Sequence, residues 1–134
     1  MIEHALVLPL FILVIICAME LFRVGYVAVT TQFVAARLMR EAGINVAAVP
    51  DVRAAIEESL KIYQVNLSSS DVVTYCPIDS FATAACPKGR IVRGSPRSLM
   101  ILTVEQPMSG IVLPGLNTMN IRVTAQVIAR NEPA

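Results

Sequence analysis

The apolar character of this chain is concentrated in "ALVLPLFILVIICAMELFRVGYVAV", residues 5–29. Its first fifteen residues carry no charge and no hydrogen-bonding side chain, and the apolar character resumes over residues 24–29. As a helix these 25 residues extend about 37 Å, enough to cross the roughly 30 Å hydrocarbon core of a bilayer with some tilt. A soluble core helix rarely needs such a length, so the segment predicts a helix compatible with lipid.

Charges at Glu3, Glu20 and Arg23 distinguish this segment from a plain membrane anchor. A cleavable secretory signal is disfavoured, because residues 1–4 include no basic flank and no small-x-small cleavage site follows. Glu20 and Arg23 are spaced i, i+3, so on a helix they share a face and partly neutralise each other. Pairing lowers the cost of several kcal/mol for an isolated charge in lipid. The pair either marks the membrane boundary or serves contacts between subunits.

The helix is predicted to continue well beyond the apolar segment. Residues 30–42 keep strong helix formers and contain no helix breaker, and Gly43 is suited to a C-cap. Pro9 removes one backbone donor, a defect that neighbouring helices can compensate in a membrane. We therefore expect a helix from about Ile2 to Ala42, roughly 60 Å long. Residues 1–43 form the transmembrane or filament-core helix, and residues 44–134 form a head.

The head begins with a short amphipathic helix. Pro50 and Asp51 give a helix-start signal before "VRAAIEESLKIY". The apolar residues of this segment recur on one helical face: Val52, Ile56, Leu60 and Tyr63.

Strand candidates follow at residues 71–76, 90–93, 99–106 and 120–130, separated by proline and glycine. In the last of them apolar residues alternate strictly with polar or arginine side chains up to Gln126, which is typical of a sheet with one face on a core. The expected fold class is α+β: a long hydrophobic N-terminal helix, a short amphipathic helix and an antiparallel β-sheet.

A loop rich in apolar residues, "PMSGIVLPGLNT" at residues 107–118, joins the last two strands. Exposed on a monomer it would form an adhesive patch, so it either packs over the sheet or contacts a partner. The residues that would make such a contact are Met108, Ile111, Val112, Leu113 and Leu116.

The three cysteines have different expected roles. Cys17 lies in the apolar segment and is expected to act as a small hydrophobe. Cys76 and Cys86 have neither the C-x-x-C spacing of a redox motif nor that of a zinc site. On an exported head they are expected to form a disulfide, worth roughly 2.5–3 kcal/mol in the chain-entropy model. Two free buried thiols are the alternative.

Composition argues against several classes of function. Eleven basic and ten acidic residues are mixed along the chain, for a net charge of +1, and only 5% of residues are aromatic, so no nucleic-acid surface is indicated. His4 is the only histidine, and phosphate-binding, nucleophile-elbow and zinc-protease motifs do not occur. We expect no enzyme activity, no metal and no cofactor.

A short acidic N-terminus, a long half-hydrophobic helix and a small disulfide-bonded head are the general plan of type IV pilin-like subunits. More closely, "IEHALVLPLFILVIICAMELFRVGY" resembles the opening of the TadE-like family of Flp/Tad (type IVc) pilus systems. His4 stands where an aromatic residue is usual, and Glu20 takes the place of a common acidic residue. Residues 123–133 resemble the end of such domains. The positions that match the family opening are Glu3, Ala5, Leu6, Val7, Leu8 and Pro9.

The resemblance implies a structural subunit with its helix in the bacterial inner membrane and its head in the periplasm. Assembly machinery would move it into a pilus with other pilin subunits, with a role in surface attachment, and a prepilin peptidase would process it. Since no basic leader precedes Met1, we expect either a mature form or a chain without its leader. Glu3 would pair with the terminal amine of a neighbouring subunit, and Glu20 and Arg23 would also serve assembly. The rival hypothesis is a monomeric periplasmic binding domain on an inner-membrane anchor.

Overall fold

A computed structural model describes residues 2–44, 51–78, 86–92, 94–95, 97–108 and 121–130. Two helices precede a three-stranded sheet: α1 (Ile2–Ile44), α2 (Val52–Ile62), β1 (Val72–Ile78), β2 (Leu99–Met108) and β3 (Ile121–Arg130). This arrangement confirms the predicted α+β fold. Within α1, side chains are described for residues 7–41.

The first helix is continuous through Pro9 and ends two residues later than predicted. Gly43 therefore lies inside α1 and not at a cap after it. The difference is within the usual latitude of helix ends, where the last turn has few intrahelical hydrogen bonds to define it.

The start of α2 is fixed by a side-chain cap, as the sequence predicts. Asp51 Oδ1 accepts hydrogen bonds from the backbone N–H groups of Arg53 (2.9 Å) and Ala54 (3.2 Å). These bonds satisfy donors that have no partner within the helix itself. On the apolar face Val52, Ile56 and Leu60 are buried, while Tyr63 follows as the C-cap residue.

The sheet is antiparallel in the order β1-β2-β3. Pro107 and Met108, predicted to lie in the loop, are the last residues of β2, where they pair with Arg122 and Ile121 of β3. A proline is tolerated there because the pairing with β1 already ends at Glu105, opposite Val72, so that no bond to β1 is lost.

Of the strand predicted at residues 90–93, the structure describes residues 90–92, which form a single parallel bridge. Tyr75 N–H donates to Arg90 O at 2.8 Å, and Val92 N–H donates to Tyr75 O at 2.7 Å. The bridge covers part of the outer edge of β1.

The core lies between the sheet and the two helices, and α1 itself forms part of it. We call residues 30–41 the packed half of α1. Its buried side chains form one apolar cluster with those of α2 and of the inner sheet face. The contribution of α1 consists of Val34, Ala35, Leu38 and Met39.

The other sheet face carries a smaller cluster closed by a disulfide between Cys76 and Cys86, whose Cα atoms are 6.5 Å apart. The predicted bridge is thus confirmed, at a separation ordinary for disulfides. Polar contacts hold the same segment on the sheet: Gly89 N–H donates to Thr74 Oγ1 at 2.9 Å, and Lys88 Nζ lies 2.8 Å from Glu105 Oε2.

Candidate membrane and assembly surface

Residues 7–29, which we call the apolar half of α1, contain no buried side chain. The apolar window within Val7–Glu41 has a mean hydropathy of 2.4, and none of it is buried. This helix is a candidate membrane anchor by its length and composition. Its exposed large hydrophobic residues are Val7, Leu8, Leu10, Phe11, Ile12, Leu13, Val14, Ile15, Met19, Leu21, Phe22, Tyr26 and Val29.

The apolar half is a direct extension of the head, because polar contacts and packing fix the same helix to the other elements. Thr31 Oγ1 donates to Gln106 Oε1 at 3.0 Å in a buried bond to β2. Tyr26 Oη donates to Tyr63 O at 3.0 Å, at the end of α2, and Gln32 Nε2 donates to Gln126 O of β3 at 3.1 Å. These contacts bind α1 to three different elements over less than two helical turns.

The charged residues predicted for assembly fall into two groups. Arg23 Nη1 lies 3.6 Å from Glu20 Oε2, so the structure brings this pair together on one helix. The Glu20 side chain is only 14% exposed and the Arg23 side chain 54%. Glu3 lies in the first turn of α1, roughly 26 Å from Glu20 along the axis. Its side chain is outside the described residues.

Gly25 opens a groove in the apolar half. A cavity of about 560 Å³ is lined by Ala18, Leu21, Phe22, Gly25, Tyr26 and Val29. Among the residues that the structure describes, a methyl group at Gly25 would meet no atom within 4 Å, so their packing does not require the glycine. A small residue at such a point lets another helix or an acyl chain approach closely.

The junction between the apolar half and the head holds a polar cleft that sequence reasoning did not identify. It brings Arg23 and Tyr26 of α1 next to Asp71 and Gln106. Gln106 is 4% exposed and Asp71 5% exposed. A polar residue on the inward side of a strand was the one available signal, since the alternation of β2 places Gln106 on the core face.

Part of the predicted contact loop can be located. Met108 is half-buried at the end of β2 and lines the polar cleft. Ile111, Val112, Leu113 and Leu116 lie outside the described residues.

Across the described part of the chain, no group of three or more potential metal ligands comes together. No protein-family model, curated protein or solved structure matches this chain.

Proposed function

We propose that this chain is a structural, non-enzymatic pilin-like subunit of a Tad-type type IV pilus. Its apolar helix lies in the inner membrane before assembly and among the helices of other pilin subunits afterwards. The head faces the periplasm and then the outside of the filament, where it serves surface attachment. A prepilin peptidase and the pilus assembly machinery act on it in this scheme.

The proposal rests on one observation: in the single helix Ile2–Ile44, the side chains of residues 7–29 are mostly apolar and exposed or half-buried, whereas residues 30–41 contribute buried side chains to the head core. A membrane anchor needs no rigid continuation into its domain, and a flexible linker would serve it. A filament subunit does need a rigid continuation, because its helix must hold the head in a defined position relative to neighbouring subunits. The hydrogen bonds of Tyr26, Thr31 and Gln32 supply that rigidity.

Glu3 provides the assembly step in this proposal. A carboxylate in a dry helix bundle is costly unless a cation satisfies it, and the terminal ammonium of a neighbouring subunit does so in one register only. Glu3 is surrounded by lipid before assembly and by other helices afterwards, and both surroundings are apolar. Since only the assembled state supplies an ammonium group for its carboxylate, this pairing favours assembly.

Glu3→Ala is expected to leave the chain in the membrane and to lower its amount in filaments sheared from the cell surface by roughly tenfold or more, because an unpaired buried ammonium costs several kcal/mol. Immunoblots of membrane and sheared fractions measure both. Glu41→Ala is the matched control, since it removes a carboxylate from the same helix in an exposed pair with Arg37.

Incorporation of Glu3→Ala at the wild-type level would refute the role of Glu3 in assembly. A wild-type chain found in membranes only, in cells that carry filaments, would instead favour the monomeric anchored domain. The observation that favours this alternative is the polar cleft at the junction, because it offers a binding site within one subunit.

A further inference from the structure

The polar cleft lies at the depth of the lipid headgroups when the apolar half spans a bilayer. Arg23 follows Ala5, the start of the apolar segment, by roughly 27 Å of helix, close to the roughly 30 Å thickness of the hydrocarbon core. The cleft has a volume of about 350 Å³ and lies between α1, the turn before β1 and the end of β2. Its position therefore exposes it to headgroups and not to bulk water alone.

Within the described part of the chain, two buried polar side chains in the cleft have partners for only part of their hydrogen-bonding groups. Gln106 Oε1 accepts from Thr31, while its amide nitrogen has no partner in the part of the chain that the structure describes. Asp71 Oδ2 accepts from Ser68 N–H at 2.7 Å, and among the same residues Oδ1 has no partner. Leaving such groups unsatisfied is unfavourable, so a ligand that supplies both an acceptor and a donor would be stabilised.

Arg23 adds donors at the mouth of the cleft. Its contact with Glu20 is an ion pair at 3.6 Å, longer than a hydrogen bond, and its side chain is 54% exposed. The guanidinium group is thus available to an anionic oxygen. Together with Asp71 it gives the cleft one charge of each sign, which matches a ligand that is itself a zwitterion.

An apolar cavity adjoins the polar one. Tyr26 lines both the cleft and the groove at Gly25, whose other walls include Leu21 and Phe22. A polar site and an apolar groove that share a wall fit a molecule with a charged head and a hydrocarbon chain.

We propose that the cleft binds a glycerophospholipid whose headgroup carries a phosphate and a primary ammonium, as phosphoethanolamine does. Arg23 and the Gln106 amide donate to the phosphate, and Asp71 Oδ1 accepts from the ammonium. An acyl chain runs from there into the bilayer along the part of the groove formed by Phe22, Leu21 and Ala18. The inference rests on the membrane-inserted stage of the proposed function and not on filament assembly. Bound lipid would hold the head at the membrane surface until assembly displaces it.

The test uses the full chain in detergent micelles, with lipid retention measured by native mass spectrometry. Dioleoyl phosphatidylethanolamine is compared with phosphatidylcholine, whose ammonium has no N–H, and with phosphatidylglycerol, which has no ammonium. Retention of the ethanolamine lipid is expected to exceed that of the other two by roughly tenfold, the ratio that 1.4 kcal/mol of differential binding gives. Arg23→Gln and Asp71→Asn should remove this preference.

Asp71→Asn keeps an acceptor for Ser68 N–H, and the Arg23 side chain is half exposed, so both variants should fold. Circular dichroism checks this. Lys88→Gln removes an exposed cation from the opposite sheet face and should leave the preference unchanged. Equal retention of the three lipids by the wild type, or a preference that survives both variants, would overturn the inference. Selective retention of the ethanolamine lipid by a chain that never enters filaments would support lipid binding at the cleft and refute the proposed function.

Discussion

Leu60→Ala is expected to lower the free energy of unfolding of the head by about 2–5 kcal/mol. Leu60 is fully buried, at 0% exposure, in the cluster where α2 meets the packed half of α1 and the inner face of the sheet. Truncation removes apolar contacts and leaves a cavity that neighbours from three elements cannot all fill. A small domain has a total stability of about 5–15 kcal/mol, so the loss is a large share of it.

Ile62→Ala is the matched control for Leu60→Ala. Ile62 lies two residues further along the same helix and is 75% exposed, so its truncation should change stability by only about 0.5 kcal/mol or less. Urea unfolding of the full chain in detergent, followed by the near-ultraviolet circular dichroism of the tyrosines, measures both variants. Equal losses for the two would contradict the burial of the α2 face.

Loss of the disulfide is expected to have the second large effect on the stability of the head. Removing it as Cys76→Ala with Cys86→Ala is expected to cost roughly 2.5–3 kcal/mol, because the unfolded chain regains the freedom of the loop between these residues. The bridge also closes the cluster on the outer sheet face, where Cys76 and Ile101 are buried. Both the covalent link and the packing of that face depend on the same pair.

Cys17→Ala is the control that distinguishes the loss of the disulfide from the loss of any cysteine. Cys17 is free and lies in the apolar half of α1, so its removal should leave the unfolding of the head unchanged. Reductant should lower the stability of the wild type and of Cys17→Ala by the same amount, and have no effect on the double variant. A double variant as stable as the oxidised wild type would show that the bridge does not stabilise the head.

Local patterns were sufficient to predict the main elements of this fold. A run of fifteen apolar residues, followed by a segment without a helix breaker, was enough to predict the long helix that the structure shows, a candidate membrane anchor. The side chain of Asp51 caps α2 through residues two and three positions away, and the spacing of Val52, Ile56 and Leu60 selects the buried face. The spacing of the cysteines, with their expected export, was likewise enough to predict the bridge.

Features that depend on pairing between distant segments were not predicted. The end of β2 at Met108 follows from its register with Ile121, which no local pattern at residues 107–108 indicates. At the described residues 90–92 of the predicted strand 90–93, a bridge of Ile91 to Tyr75 occurs instead, for the same reason.

Local patterns could indicate only one residue of the polar cleft, Gln106 on the inward face of β2, and not the cleft itself. It brings Arg23 and Gln106 together from positions 83 residues apart in the chain. A constellation assembled over such a separation becomes visible only when the fold is known.

Cross-linking at Phe22 in surface filaments tests whether the apolar half of α1 exchanges lipid for the helices of other subunits. Phe22 is 80% exposed on α1, so Phe22→Cys in a Cys17→Ala background presents a single thiol on that surface. A second cysteine is placed on the apolar helix of a neighbouring subunit, which is either another copy of this chain or a different pilin. The two thiols should then form cross-linked dimers in sheared filaments. The cross-links should disappear when Glu3→Ala is added. A chain that stays monomeric at this position and occurs in the membrane fraction alone would contradict the account.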